Sequence, residues 1–167
     1  MKRILFNKNT KVLSAEYDPA NGVFSKVYEV YNIDYAPYIL KSYYKENDLN
    51  DTLFISNLSS WFKGRGIPSW RDKLHRLNIS APTELLDKAF GLSLSDQYFI
   101  KPYDMNVIYD DINFFDNDFE YSEFLSASLS KNSEVVTNES SLKTPNNTTD
   151  GMLKKAWIID GGTRYLL

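Results

Sequence analysis

The sequence predicts an α+β protein: a small antiparallel β-sheet with a helical cluster, plus a C-terminal β-hairpin. Three observations carry that prediction. The first thirty residues fall into short β-type runs broken by Asn-rich turns. The middle of the chain repeats apolar residues at helical spacing. A stretch rich in Ser, Asn and Thr then separates these elements from two short apolar runs around Asp160-Gly161-Gly162.

Arg3 to Phe6 and Val12 to Tyr17 read as strands flanking Asn7-Lys8-Asn9-Thr10, whose Asn residues suit a turn. Asn21-Gly22 supplies the positive φ of a second tight turn. From Val23 to Tyr31 the alternation of side chains reads as a third strand, giving an antiparallel meander. Leu49, Leu53, Phe54, Leu58, Trp61 and Phe62 then form one apolar helical stripe that ends at Gly64 and Gly66. A second helix capped by Ser69 buries Trp70, Leu74 and Leu77. A third starts near Pro82, turns Leu85, Leu86, Ala89 and Phe90 inward, and stops at Gly91. Gln97 to Ile100 is a short strand closed by Pro102, and a further short helix is expected over Tyr121 to Leu129.

Composition bounds the rest. In 167 residues, 43% are apolar and 15% aromatic, enough for a core without staples. Cysteine is absent, which excludes disulfides, thiolate metal sites and a cysteine nucleophile. The start lacks the apolar stretch of a signal peptide and no run has the length of a membrane span, so a cytoplasmic address is expected. Three segments follow: a compact α+β domain over 1–129, a flexible linker over 130–147, and a loop with hairpin over 148–167.

Four clusters are candidates for chemistry. His75 is the only histidine and stands on a predicted helix without a serine-nucleophile signature, so a structural role is expected. Lys63, Arg65, Arg71, Lys73 and Arg76 form a basic face with interleaved Trp61, Phe62 and Trp70. Such a face on a helix pair could read DNA, but the connector from Lys63 to Ser69 is longer than a helix-turn-helix allows, and a solvated basic face is favoured. Between Asp104 and Glu123 the chain carries Asp104, Asp110, Asp111, Asp116, Asp118, Glu120 and Glu123 and no Lys or Arg. Asp116-Asn117-Asp118-Phe119-Glu120 lacks the glycine and terminal glutamate of a calcium loop, so no metal is expected. The acidic stretch could instead dock on the basic face or on a partner. Finally, Thr148, Thr149, Asp150, Gly151 and Lys154 combine hydroxyls, a glycine and a cation, a weak signal for a phosphate-cradling loop.

As an ordered set, the motifs are more specific than any one of them. Trp61-Phe62-Lys63-Gly64-Arg65-Gly66-Ile67-Pro68, Gly91-Leu92-Ser93-Leu94-Ser95-Asp96-Gln97-Tyr98, Asp111 to Phe119, and Thr148 to Trp157 arrive in that order. The arrangement resembles the N-terminal region of bacterial HipA-like serine/threonine kinases of the toxin–antitoxin type. The resemblance spans nearly the whole chain apart from 130–147. It implies an accessory α+β domain ahead of a two-lobed transferase, with the final hairpin opening the N-lobe. It places an ATP-phosphate loop on Thr148 to Lys154, with Thr148 and Thr149 as candidate autophosphorylation positions. ATP and Mg2+ are the cofactors implied for a full-length relative, and none is expected for this chain alone. Implied partners are the remaining kinase domain and an antitoxin-like DNA-binding protein. The phosphate-binding Lys expected on the strand of Arg164 to Leu167, the catalytic Asp and the magnesium-binding residues have no counterpart in the sequence, so a truncated, inactive N-terminal fragment is expected. The alternative is a stand-alone module binding DNA or an antitoxin-like protein.

Overall fold

The computed structural model describes residues 1–66, 82–121, 144–148 and 156–167. It is α+β: a four-stranded antiparallel sheet with few helices, and a separate two-stranded hairpin. Strand β1 (Lys2–Asn7) turns at Lys8 and Asn9 into β2 (Thr10–Asp18), and the Asn21-Gly22 turn leads to β3 (Val23–Val30). Gly22 has φ +64, the left-handed geometry expected of the Asn21-Gly22 turn, and in the first turn it is Lys8 that takes this geometry, with φ 50. The order is β3-β2-β1-β4, with β4 (Tyr98–Pro102) returning antiparallel to β1. The meander therefore forms as expected, and the short strand near residue 100 joins it as its second edge.

The two faces of the sheet carry two cores, because successive side chains alternate across a strand. Leu5 and Ile100 point towards the helices, joining Leu13, Tyr17, Phe24 and Val27. There they meet Leu40 of helix α1 (Tyr38–Tyr43), Phe54, Leu58 and Phe62 of α2 (Thr52–Gly64), and Leu86 of α3 (Pro82–Lys88). On the opposite face Ile4, Phe6 and Phe99 pack with Tyr109, Phe114 and Phe119. Helix α4 (Tyr109–Ile112) opens the segment that covers this face.

Asp51 caps α2 by accepting from the N–H groups of Leu53 and Phe54. Helix α3 ends on Phe90 and Gly91, both at positive φ, and a Cβ on Gly91 would come within 2.9 Å of the Phe62 ring. Only a glycine fits there.

Two expectations need correction. Leu53 is 57% exposed, whereas Ser59 on the same helix is buried. The reason is that α2 lies along the edge of β3, where the strand needs a hydroxyl: the Phe24 N–H donates to Ser59 Oγ at 2.9 Å. The register of β3 also slips at Ser25 and Tyr28, so its alternation is interrupted by bulges. Helix α1 and the 3-10 turn at Ile33–Tyr35 were not anticipated by any periodic pattern. The helices expected after Ser69 and over 121–129 lie outside the described residues, except for Tyr121 itself.

Candidate functional site

The hairpin of β5 (Trp157–Asp160) and β6 (Thr163–Leu166) turns on Gly161 and Gly162, with φ of +54 and +80. It is docked, not free. Trp157 and Ile159 pack on the second core, and Tyr121 Oη donates to the Ile159 carbonyl at 3.0 Å. Arg164 reaches back to the acidic segment, donating from Nε to the Phe114 carbonyl at 2.9 Å and from Nη2 to the Asn117 carbonyl at 3.1 Å. A two-stranded hairpin is marginal alone in water, and these contacts hold it in place.

Its entry is fixed by one side chain. Pro145–Thr148 form a 3-10 turn in which Asn146 is 3% exposed. The Trp157 N–H donates to Asn146 Oδ1 at 2.6 Å, and Asn146 Nδ2 donates to the Trp157 carbonyl at 3.1 Å. The amide thus mimics a neighbouring strand. Within the stretch expected to be a linker, Thr144 and Asn146 are both buried, and residues 130–143 lie outside the described residues. Of the loop candidates, Thr148 closes the 3-10 turn, while Thr149, Asp150, Gly151 and Lys154 lie outside the described residues.

The acidic segment is ordered by amides. Asn113, fully buried, accepts the N–H groups of Phe115 and Asp116 and donates to the carbonyl of Tyr109. Asn117 donates to the carbonyls of Asp110 and Asn113 at 2.9 Å each. Among the described residues the cations that donate to this stretch are Arg164 and Lys101, and both bind carbonyls, not carboxylates. Among the described residues no three His, Asp or Glu side chains converge as metal ligands.

The basic face loses a member. Arg65 was expected on a contact surface, but its side chain is only 7% exposed. Its guanidinium pairs with both carboxylate oxygens of Asp96. It also donates to the Gly91 carbonyl at 2.7 and 3.0 Å and lies 4.9 Å from the Trp61 ring centroid. This arginine joins the end of α2 to the loop between α3 and β4. Lys63 is exposed and lines a cleft of about 560 Å³ between α2 and β3. Arg71, Lys73, Arg76 and His75 lie outside the described residues.

Burial perturbs several titrating groups near the sheet. Desolvation pushes the Tyr17 and Tyr109 hydroxyls up to about 12, and neither has a hydrogen-bond partner among the described residues. Asp87 is raised by burial, against the opposing pull of Arg3, with which it forms an ion pair at 2.7 Å. Burial also lowers the pKa of Lys101, whose ammonium donates to the Met105 carbonyl.

Neither Asn146, Arg164 nor Asp96 stood out from the sequence. The only local signal was Pro145-Asn146, a turn dipeptide in an otherwise featureless stretch. Comparison with protein-family models, characterised proteins and solved structures gives no match for this chain. No helix among the described residues is long and apolar enough to cross a membrane.

Proposed function

We propose that this chain is the accessory domain and opening N-lobe hairpin of a HipA-like protein serine/threonine kinase, inactive by itself. The supporting observation is the reciprocal Asn146–Trp157 pair. It pins together the two ends of the segment that contains Thr148, Thr149, Asp150, Gly151 and Lys154. A loop that covers nucleotide phosphates must stand at a defined place on a rigid base, because positioning is most of what phosphoryl transfer asks of the protein. Here the base is a docked hairpin on one side and a 3-10 turn anchored by the buried Pro145 and Asn146 on the other.

In this reading the rest of the kinase supplies the phosphate-clamping Lys, the acceptor-positioning Asp and the Mg2+ ligands, and ATP binds only in that context. The commitment of Arg65 to Asp96 and Gly91 counts against the DNA-binding alternative, since it removes one cation from the proposed contact face. The test is the reading frame beyond Leu167 in the genome. A Lys close behind Leu167, followed by kinase-type Asp and Asn motifs, is the expected result. A frame without them overturns the proposal.

A further inference from the structure

The turn between β2 and β3 holds the one asparagine of this chain that is followed by glycine. Asn21 is exposed, and its Nδ2 donates to Asp18 Oδ2 at 2.6 Å. The other oxygen of Asp18 accepts the Ala20 N–H at 3.0 Å, so one carboxylate ties the turn at two points. The Asn21 amide is also the chief reason that Asp18 titrates below the ordinary aspartate value. Gly22 follows at φ +64, buried against Thr83 at the start of α3. A Cβ on Gly22 would come within 2.4 Å of Thr83 Cγ2. The Gly22 N–H makes no hydrogen bond among the described residues.

An asparagine side chain is open to attack by the backbone nitrogen that follows it, and a glycine there has no Cβ to hinder the approach. Elsewhere the fold withholds the amide. Asn113 and Asn146 are buried with both ends of the amide hydrogen-bonded. Asn57 donates to the Leu53 carbonyl within α2. At Asn21 the amide faces water, and among the described residues Asp18 alone holds it.

We propose that Asn21–Gly22 is a self-modification site: the exposed asparagine converts to aspartate and isoaspartate as the protein ages, and the conversion unties the β2–β3 turn. In the first step the Gly22 nitrogen gives up its proton and bonds to Asn21 Cγ. The Cγ–Nδ2 bond breaks, and Nδ2 leaves as ammonia with that proton. The product is a cyclic imide. Water then adds to one of its two carbonyl carbons and cleaves the bond from that carbon to the shared nitrogen. Opening at Cγ gives aspartate; opening at the main-chain carbonyl gives isoaspartate, with the chain routed through the side chain. Either product costs the turn its tie. A carboxylate replaces the donor that stands 2.6 Å from Asp18 Oδ2, so a hydrogen bond becomes a like-charge contact. Isoaspartate also lengthens the backbone by a methylene beside Gly22, where Thr83 leaves no room for an added carbon. The conversion uses no kinase chemistry and is independent of that reading.

The test is ageing of the folded 167-residue chain in mildly alkaline buffer. Peptide mapping by mass spectrometry locates the change, and electron-transfer fragmentation separates the two acids. A free peptide of residues 18–24 gives the rate without the fold. The amide-to-acid mass gain is expected at Asn21 before any other described asparagine, with both acids present. Asn21→Gln should not convert, since its longer side chain would have to close a larger ring. By NMR, the converted chain and the Asn21→Asp variant should both show the Asp18 pKa raised. Both should also show amide exchange faster by about tenfold or more at the Asp18–Val23 end of the β2–β3 ladder, where a hydrogen bond to a charged group is lost. An Asn21 that stays intact while the free peptide converts, or a converted chain in which the Asp18 pKa and the turn's exchange are unchanged, overturns the proposal.

Discussion

Replacing Arg65 by Ala removes a buried cation that joins three pieces of the fold. Asp96 would lose its bidentate partner, the Gly91 carbonyl would lose two donors, and Trp61 would lose the guanidinium stacked near its ring. Breaking a buried ion pair from one side costs about 3–5 kcal/mol, because the other charge is left desolvated. Asp96 is 31% exposed and can recover some hydration, which places the expected loss near the lower end, at about 3 kcal/mol. For a chain of this size that lowers Tm by about 6–12 °C. Asp96→Ala should cost less, since Arg65 keeps the Gly91 carbonyl. The double variant should show a coupling of about 1 kcal/mol or more. Arg65→Lys should rescue little, because an ammonium can neither grip both oxygens nor stack on Trp61. The assay is thermal and urea unfolding of the parent and the four variants by circular dichroism. An Arg65→Ala variant within about 0.5 kcal/mol of the parent, the range of an ordinary surface substitution, would refute the reasoning. It would return Arg65 to the exposed contact face that the sequence suggests.

Other consequences follow from single contacts. Asn146→Ala removes two buried hydrogen bonds at the base of the loop and should cost about 2 kcal/mol, with the Trp157 amide exchanging faster in NMR. Tyr17→Phe removes a buried hydroxyl that has no partner among the described residues, so urea unfolding should show stability unchanged or raised by up to about 1 kcal/mol. Because the Tyr17 pKa is raised to about 12, its contribution is full below pH 10 and lost as pH rises through 12. Tyr17→Phe should therefore reduce alkaline destabilisation over that window. Asp51 titrates low, held down by Lys45 and by the Phe54 and Leu53 N–H groups, so its contribution is present above pH 3.8 and lost as pH falls through the lowered value. Asp51→Ala should destabilise at neutral pH, and the difference from the parent should vanish on acid titration.

Local chemistry was legible in the sequence; demands made from far along the chain were not. The Asn-Gly turn, the Gly91 stop and the Asp160-Gly161-Gly162 hairpin declared themselves because backbone geometry at those points depends on the residues themselves. The paired bulges of β3 did not, since they answer to α2 lying alongside. Leu53 and Ser59 exchange their expected places for the same reason. Helix α1 escaped notice because only Leu40 of its six residues is buried, which leaves no periodicity to read. Arg65 was read as surface charge, as its partner Asp96 lies thirty-one residues away. Asn146 was hidden by composition: one buried amide among polar neighbours looks like the rest of a linker until Trp157 is found against it.

The central claim is that residues 148–154 form the phosphate loop of a kinase whose catalytic groups lie elsewhere. Incubation with labelled ATP and Mg2+ tests it most directly, comparing residues 1–167 with the product of the full reading frame and mapping label by mass spectrometry. The expected result is no transfer by residues 1–167, and transfer by the full product with phosphate on Thr148 or Thr149. Transfer by residues 1–167 alone that disappears on changing Thr148 and Thr149 to Ala, or no transfer by either protein, would contradict it.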